Sequence, residues 1–144
     1  MAIEWTPGLS VGVDEIDAQH QELFARVNAL LAAMNAGRGR DDLGRTLSFL
    51  GDYVDRHFGL EEAYMRRFNY PGYFAHKRAH DEFVADFKKI QKDLAFVGPR
   101  TSLVLEVQQR LGGWLVHHIG GVDRALAAFL KEHLAAPRGA AHAG

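Results

Sequence analysis

The 144-residue chain contains no cysteine, which excludes a disulfide scaffold, a thiolate nucleophile, an iron–sulfur cluster and a zinc site with cysteine ligands. It has almost no excess charge, because 17 lysine and arginine residues stand against 18 aspartate and glutamate residues. This balance gives no basic surface of the kind that binds nucleic acid or anionic membranes. No apolar run approaches the roughly 20 residues that a transmembrane helix needs. We therefore expect no nucleic-acid partner and no membrane span.

The segment Met1–Pro7 also lacks the basic and then apolar pattern of a secretory signal, so we expect a cytoplasmic protein. The length fits one compact domain, which we place at residues 1–136. Residues 137–144 are mostly small, and we predict that they form a disordered C-terminal tail.

No segment shows the two-residue alternation of a half-buried strand, whereas apolar residues recur three and four positions apart throughout the chain. This spacing predicts four helices, at roughly 17–36, 41–68, 73–96 and 101–134. The connections between them are short and contain Pro71–Gly72 and Gly98–Pro99. We predict an all-α fold, an up-down-up-down antiparallel four-helix bundle with an irregular N-terminal arm around Trp5.

The chain has eight histidines, and five of them fall on the apolar faces of the predicted helices. Each predicted helix directs at least one imidazole into the core; the five are His20, His57, His76, His80 and His118. The neighbouring His117 falls on the outer face. Two carboxylates accompany the imidazoles, since Glu61 lies one turn after His57 and Asp123 follows His118.

A buried carboxylate needs a positively charged partner, and a buried imidazole needs hydrogen bonds. One histidine on an apolar face is usually a hydrogen-bonded core residue, but five imidazoles and two carboxylates on four helices favour a metal site. This set exceeds one tetrahedral zinc site and suits two borderline metals such as iron. Asp123 lies five positions after His118, so joining them at one site requires either a local distortion of the helix or a longer reach of the side chains.

These residues lie in stretches that resemble the hemerythrins, in particular single-domain bacterial members of that family. The resembling stretches are Val11–His20, His57–Met65, Tyr70–Pro71 followed by His76 and His80, and Trp114–Ile119 with Asp123. The resemblance spans roughly residues 5–130. It implies reversible dioxygen binding at a non-haem di-iron centre, for oxygen storage, delivery or sensing. It also implies a protein that is not an enzyme.

The resemblance further implies a role for each residue of the site. His76, His80 and His118 would hold one iron ion, and His20 and His57 the other. Glu61 and Asp123 would bridge the two ions together with an oxo or hydroxo group, and the second ion would keep a position open for dioxygen. An oxygen-consuming enzyme is the partner that such a carrier would supply, and we expect a monomer.

Gly120 departs from the family pattern, because relatives carry a bulky aliphatic residue at this position. We expect Gly120, Ile119 and Trp114 to line an oxygen pocket, which the glycine widens so that oxidation of the iron becomes faster. The alternative is a change without consequence in a helix that packing stabilises.

Other functions remain open at this point. A di-iron enzyme with peroxidase-like or nitric oxide- and oxidant-scavenging activity is the main alternative, although the Glu-x-x-His pairs of carboxylate-rich di-iron proteins are absent. A zinc hydrolase is disfavoured because Lys77 occupies the place of a general-base glutamate after His76. Glu62 is expected either beside a ligating imidazole or at the surface.

Overall fold

A computed structural model describes the backbone of residues 3–143 and the side chains of residues 3–133. The first three long helices are α1 (Asp14–Asn35), α2 (Arg40–Arg67) and α3 (Tyr73–Val97). α1 packs on α2, and α2 packs on α3. No strand occurs within residues 3–143, and the predicted all-α four-helix bundle is confirmed.

The fourth helix of the bundle is continuous but not uniform. It consists, in order, of α4 (Thr101–Glu106), the π-helical segment π1 (Val107–Gly113), α5 (Trp114–His118), the π-helical segment π2 (Ile119–Asp123) and α6 (Arg124–Ala143). Backbone dihedral angles at the junctions all lie in the right-handed helical region, so the axis is not broken. The predicted disordered tail at 137–144 lies outside the residues whose side chains are described and stays a prediction.

α1 begins at Asp14, three residues before the predicted start at 17. Asp17 does not cap the helix from outside; instead its carboxylate accepts hydrogen bonds from the backbone N–H of Val11 and the hydroxyl of Ser10, at 2.8 and 2.5 Å. The side chain therefore reaches back from the first turn and fixes the chain that enters the helix. The predicted bounds of α2 and α3 agree with the structure to within one residue.

Hydrogen bonds hold the N-terminal arm, residues 3–13, against the bundle. The side-chain amide of Asn28 pairs with both the N–H and the C=O of Ile3, at 2.9 and 2.8 Å. Arg124 donates a hydrogen bond to the carbonyl oxygen of Gly8 at 2.5 Å. The arm thus lies beside the fourth helix, next to π2. No helix in the described part of the chain combines the length and the apolarity needed to cross a membrane.

The interior contains two apolar clusters. The large core fills the half of the bundle nearer the α1–α2 turn; its fully buried members include Leu23, Val27, Leu43, Leu47, Leu50, Phe83 and Leu111. The small core, at the opposite end, comprises Val11, Ile16, Met65, Leu126, Ala127 and Leu130. Between the two clusters, each of the four helices contributes at least one buried polar residue. This polar layer is the only part of the described interior where carboxylates are buried.

Candidate metal centre

The π2 segment brings two polar residues of the fourth helix together. In a regular α-helix, residues five apart point in different directions, because each residue turns the chain by about 100°. The wider turn of a π-helix places residues i and i+5 on one face. His118 Nε2 accordingly lies 3.1 Å from Asp123 Oδ1. Of the two expected ways to join these residues, the structure shows the local distortion, and His117 is exposed, as the helical periodicity predicts.

The other three helices supply the rest of the polar layer. His57 and Glu61 lie one turn apart on α2, His76 and His80 lie one turn apart on α3, and His20 comes from α1. These side chains, together with those of His118 and Asp123 on the fourth helix, are at most 3% exposed. The structure therefore brings together all seven residues that the sequence predicts as metal ligands.

Glu61 lies between two sets of imidazoles. Its Oε1 is 3.0 Å from His80 Nε2 and 3.4 Å from His76 Nε2. Its Oε2 is 3.4 Å from His57 Nε2 and 3.7 Å from His20 Nε2. Each carboxylate oxygen thus faces a different pair of histidines.

Asp123 divides its oxygens in the same way. Oδ1 lies 3.0 Å from His76 Nε2 and 3.1 Å from His118 Nε2, whereas Oδ2 lies 2.9 Å from His20 Nε2. The result is a five-ligand group (Glu61, His76, His80, His118 and Asp123) and a four-ligand group (His20, His57, Glu61 and Asp123). Within each group the potential ligand atoms all lie within 4.8 Å of one another.

These atoms fit a metal ion better than they fit one another. Among the described side chains, Nε2 of all five histidines, both oxygens of Glu61 and Oδ1 of Asp123 are buried without a properly oriented hydrogen-bond partner. Each unsatisfied buried polar atom costs about 1–3 kcal/mol. Imidazole nitrogens and carboxylate oxygens converging without thiolates are the donors that iron accepts in proteins. The donor set therefore fits iron.

The carboxylates and imidazoles of the polar layer shift one another's pKa values. Burial lowers the pKa values of His20 and His76, but the adjacent carboxylates of Asp123 and Glu61 outweigh this effect and raise both values to about 9. Burial raises the pKa values of the two carboxyl groups, yet the surrounding imidazoles hold them well below their usual range. Burial lowers the pKa of His118. Without a metal, His20 and His76 therefore favour the imidazolium form at neutral pH, opposite the carboxylates of Asp123 and Glu61.

Two imidazoles are also held from outside the polar layer. Nδ1–H of His57 donates to Oε1 of Gln19 at 2.6 Å, and Nδ1–H of His80 donates to Oε2 of Glu62 at 2.9 Å. A partner on Nδ1 fixes the tautomer that leaves Nε2 free for a metal. Glu62 thus lies beside an imidazole, one of its two expected positions. Gln19 was not predicted as a partner of an imidazole; the signal for it in the sequence was its position directly before His20, at the edge of the apolar face.

Aromatic rings cover the five-ligand group. Phe58 stacks on His80 with ring centroids 3.8 Å apart and planes 3° apart. Trp114 stacks on His118 at 4.2 Å and 13°. These contacts restrict rotation of both imidazoles and keep water away from their faces.

The three residues predicted to line an oxygen pocket lie in different environments. Ile119 is fully buried, and Trp114 is partly buried against His118. Gly120 is exposed, and a Cβ atom built on it would lie 4.0 Å from Leu9 Cδ2 of the arm. The pocket stays a prediction.

The sequence profile of the hemerythrin HHE cation binding domain matches residues 11–133, a range that includes the whole polar layer. The chain belongs to the hemerythrin family. Its relatives include the bacteriohemerythrin of Stenotrophomonas maltophilia, 32% identical over 90% of this chain and 82% of that protein. The bacteriohemerythrin of Methylococcus capsulatus is 34% identical over 83% of this chain and 90% of that protein.

A solved structure extends the likeness to three dimensions. The crystal structure of a wild-type hemerythrin superposes with a TM-score of 0.79 and 30% sequence identity, covering 89% of this hemerythrin and 97% of the other chain. The assignment made from sequence motifs is therefore confirmed. At the level of the family, the predicted class is confirmed as well: an oxygen-binding hemerythrin with non-haem iron.

Proposed function

We propose that this hemerythrin binds dioxygen reversibly at two iron ions, one in each ligand group. The proposal rests on the placement of the two carboxylates. Glu61 and Asp123 each direct one oxygen toward each ligand group. The groups together offer nine donor atoms, more than the six positions of one octahedral ion. Two ions, one held by each ligand group, would use every donor.

The two groups differ in the number of ligands that the chain supplies. His76, His80 and His118 contribute three imidazoles to one group, whereas His20 and His57 contribute two to the other. The four-ligand group therefore leaves more of the coordination sphere free, and we assign dioxygen binding to that side. When bound, ferrous iron supplies the electrons that dioxygen accepts on binding and returns on release.

The residues of the chain favour reversible binding over oxidation of another substrate. Imidazoles bind a metal as uncharged ligands, so five of them with only two carboxylates would provide little of the negative charge that stabilises highly oxidised iron. Burial between two apolar cores keeps bulk water from the ligand atoms. We further propose that Ile119 and Trp114 line the approach to the site, and that Gly120, beside the arm, leaves this approach wider than a bulky residue would.

A spectroscopic oxygen cycle tests the proposal. The iron-loaded protein is reduced without oxygen, exposed to oxygen and then returned to vacuum, while visible absorption is recorded. A charge-transfer band that appears with oxygen and disappears on its removal over repeated cycles is the expected result. An immediate and irreversible change to the diferric spectrum would contradict it, and would favour an oxidant-consuming di-iron enzyme with peroxidase-like activity.

Two adjacent histidines provide a matched pair of variants for the ligand assignment. We expect His118→Ala to lose iron and the oxygen-dependent band. His117→Ala, which removes an exposed imidazole one residue away, should keep about two iron ions per chain, the stoichiometry that two ligand groups predict. Equal iron contents in the two variants would contradict the assignment.

We also propose that the protein is a monomer in the cytoplasm that supplies an oxygen-consuming enzyme. The balanced surface charge supports a freely diffusing carrier. Size-exclusion chromatography with light scattering measures the oligomeric state, and a dimer at micromolar concentration would contradict this part of the proposal.

A further inference from the structure

The outer nitrogens of the candidate ligands have unequal partners. Nδ1 of His80 has a carboxylate partner, Glu62, whereas Nδ1 of His57 has a neutral amide partner, Gln19. Nδ1 of His20 and Nδ1 of His76 are buried without any partner among the described side chains. Glu62 therefore places a full negative charge beside the outer nitrogen of His80, a member of the five-ligand group.

The contacts around Glu62 hold its carboxylate in place. It follows Glu61 on α2, so it points about 100° away from the polar layer and reaches α3 instead. Its side chain is 15% exposed, with Oε2 at 2.9 Å from His80 Nδ1 and Oε1 at 3.9 Å from Lys77 Nζ. Phe58 stacks on the face of the same imidazole. The ring of His80 is thus fixed in its plane by Glu62 and across its plane by Phe58.

A carboxylate that accepts the Nδ1 proton makes the imidazole a stronger donor at Nε2. A stronger donor stabilises a metal ion of higher charge more than one of lower charge. A neutral amide such as Gln19 has a weaker effect, because its oxygen carries no full charge. The two groups therefore differ in donor strength in addition to ligand number.

We propose that Glu62 is a positioning residue that lowers the reduction potential of the iron held by His76, His80 and His118. This inference rests on the proposed function, because it assumes that iron occupies the five-ligand group. In this role, Glu62 makes an electron easier to withdraw from the iron of the five-ligand group, which lies opposite the dioxygen-binding side. Gln19 leaves the four-ligand side without this effect.

The test uses two isosteric substitutions that move charge in opposite directions. Glu62→Gln removes the charge and keeps the hydrogen-bonding oxygen, whereas Gln19→Glu places a carboxylate against His57. The midpoint potential of the iron-loaded protein is measured by anaerobic redox titration, without oxygen. The affinity of the metal-free protein for Zn²⁺ is measured by competition with a chelator.

We expect Glu62→Gln to shift the midpoint potential to a more positive value and Gln19→Glu to shift it to a more negative one. If the loss of affinity is tenfold greater for ferric than for ferrous iron, the positive shift is about 59 mV. Zn²⁺ affinity should fall by about 10- to 100-fold in Glu62→Gln, the range typical for loss of such a partner.

A fall in Zn²⁺ affinity with an unchanged potential would show that Glu62 only supports the structure, and would overturn the proposal. If Glu62→Gln does not take up iron, the Gln19→Glu variant decides: a potential equal to or more positive than that of the unmodified protein would overturn it. The titration excludes oxygen, so its result is independent of the oxygen cycle. A protein that fails to bind oxygen reversibly can still show the predicted shifts.

Discussion

Raising the pH should destabilise the metal-free protein far more than the iron-loaded protein. In the folded chain, His20 and His76 have pKa values of about 9, raised from 6.5 by Asp123 and Glu61. The stabilisation from these two ion pairs is fully present below pH 6.5 and is lost as the pH rises through 9. Metal ions replace the protons in the loaded protein, so that form should not lose this contribution.

The magnitude follows from the two pKa values. A change from 6.5 to about 9 corresponds to about 3 kcal/mol per histidine. Because both imidazoles share the same two carboxylates, we expect a combined loss of about 3–6 kcal/mol, against total stabilities of about 5–15 kcal/mol for ordinary domains. Both side chains are almost fully buried, so screening by solvent does not reduce the effect appreciably.

Urea unfolding followed by far-ultraviolet circular dichroism, at several pH values between 6 and 10, measures this loss. The urea midpoint of the metal-free protein should fall across the interval, while that of the iron-loaded protein stays higher and changes less. Loading with Zn²⁺ at pH 7.5 in a weak buffer should also release about two protons per chain. A midpoint that is constant or rises with pH in the metal-free protein would refute the reasoning, as would metal uptake without proton release.

Four further substitutions test the packing and the approach to the site. Phe58→Ala removes the buried ring that stacks on His80. We expect the free energy of unfolding, measured by urea titration, to fall by about 3–5 kcal/mol. A loss below about 1 kcal/mol would contradict this packing. Gly51→Ala should destabilise by about 1–3 kcal/mol, since its Cβ would lie 2.8 Å from Phe87 Cε1, whereas Gly44→Ala, with no atom within 4 Å, should stabilise by up to about 1 kcal/mol. Equal effects of these two alanines would argue against the close helix contact. Gly120→Leu should slow oxidation of the reduced protein in air, and an unchanged rate would show that this position does not control access.

Helical periodicity alone predicted most of what positions the site. The spacing of His57 and Glu61, and that of His76 and His80, placed each pair on the buried face of its helix, because regular α-helices repeat every 3.6 residues. The same reasoning separated His118 from exposed His117. These predictions depend only on local geometry, which one helix determines by itself.

The features that the periodicity did not predict depend on contacts between distant segments. The start of α1 was wrong by three residues because Asp17 bonds to the arm and not to the helix end. π1 was not predicted; Gly112, within it, packs against Ile3, with a built Cβ only 3.1 Å from the isoleucine. Gln19 and Glu62 became partners of imidazoles only when α1, α2 and α3 packed together. A single sequence contains no direct record of these distances.

The polar layer separates the large core from the small core, so we expect the two ends of the bundle to open with different free energies. Among the described side chains, the small core contains six buried residues, far fewer than the large core, so apolar burial stabilises that end of the bundle less. Iron held by residues of all four helices would join this end to the rest of the molecule. After iron loss, the end that contains the start of α1 and the end of α2 should open first, so that its amides exchange with solvent and proteases gain access. Metal occupancy would then determine not only what the protein binds but how long each copy survives in the cell.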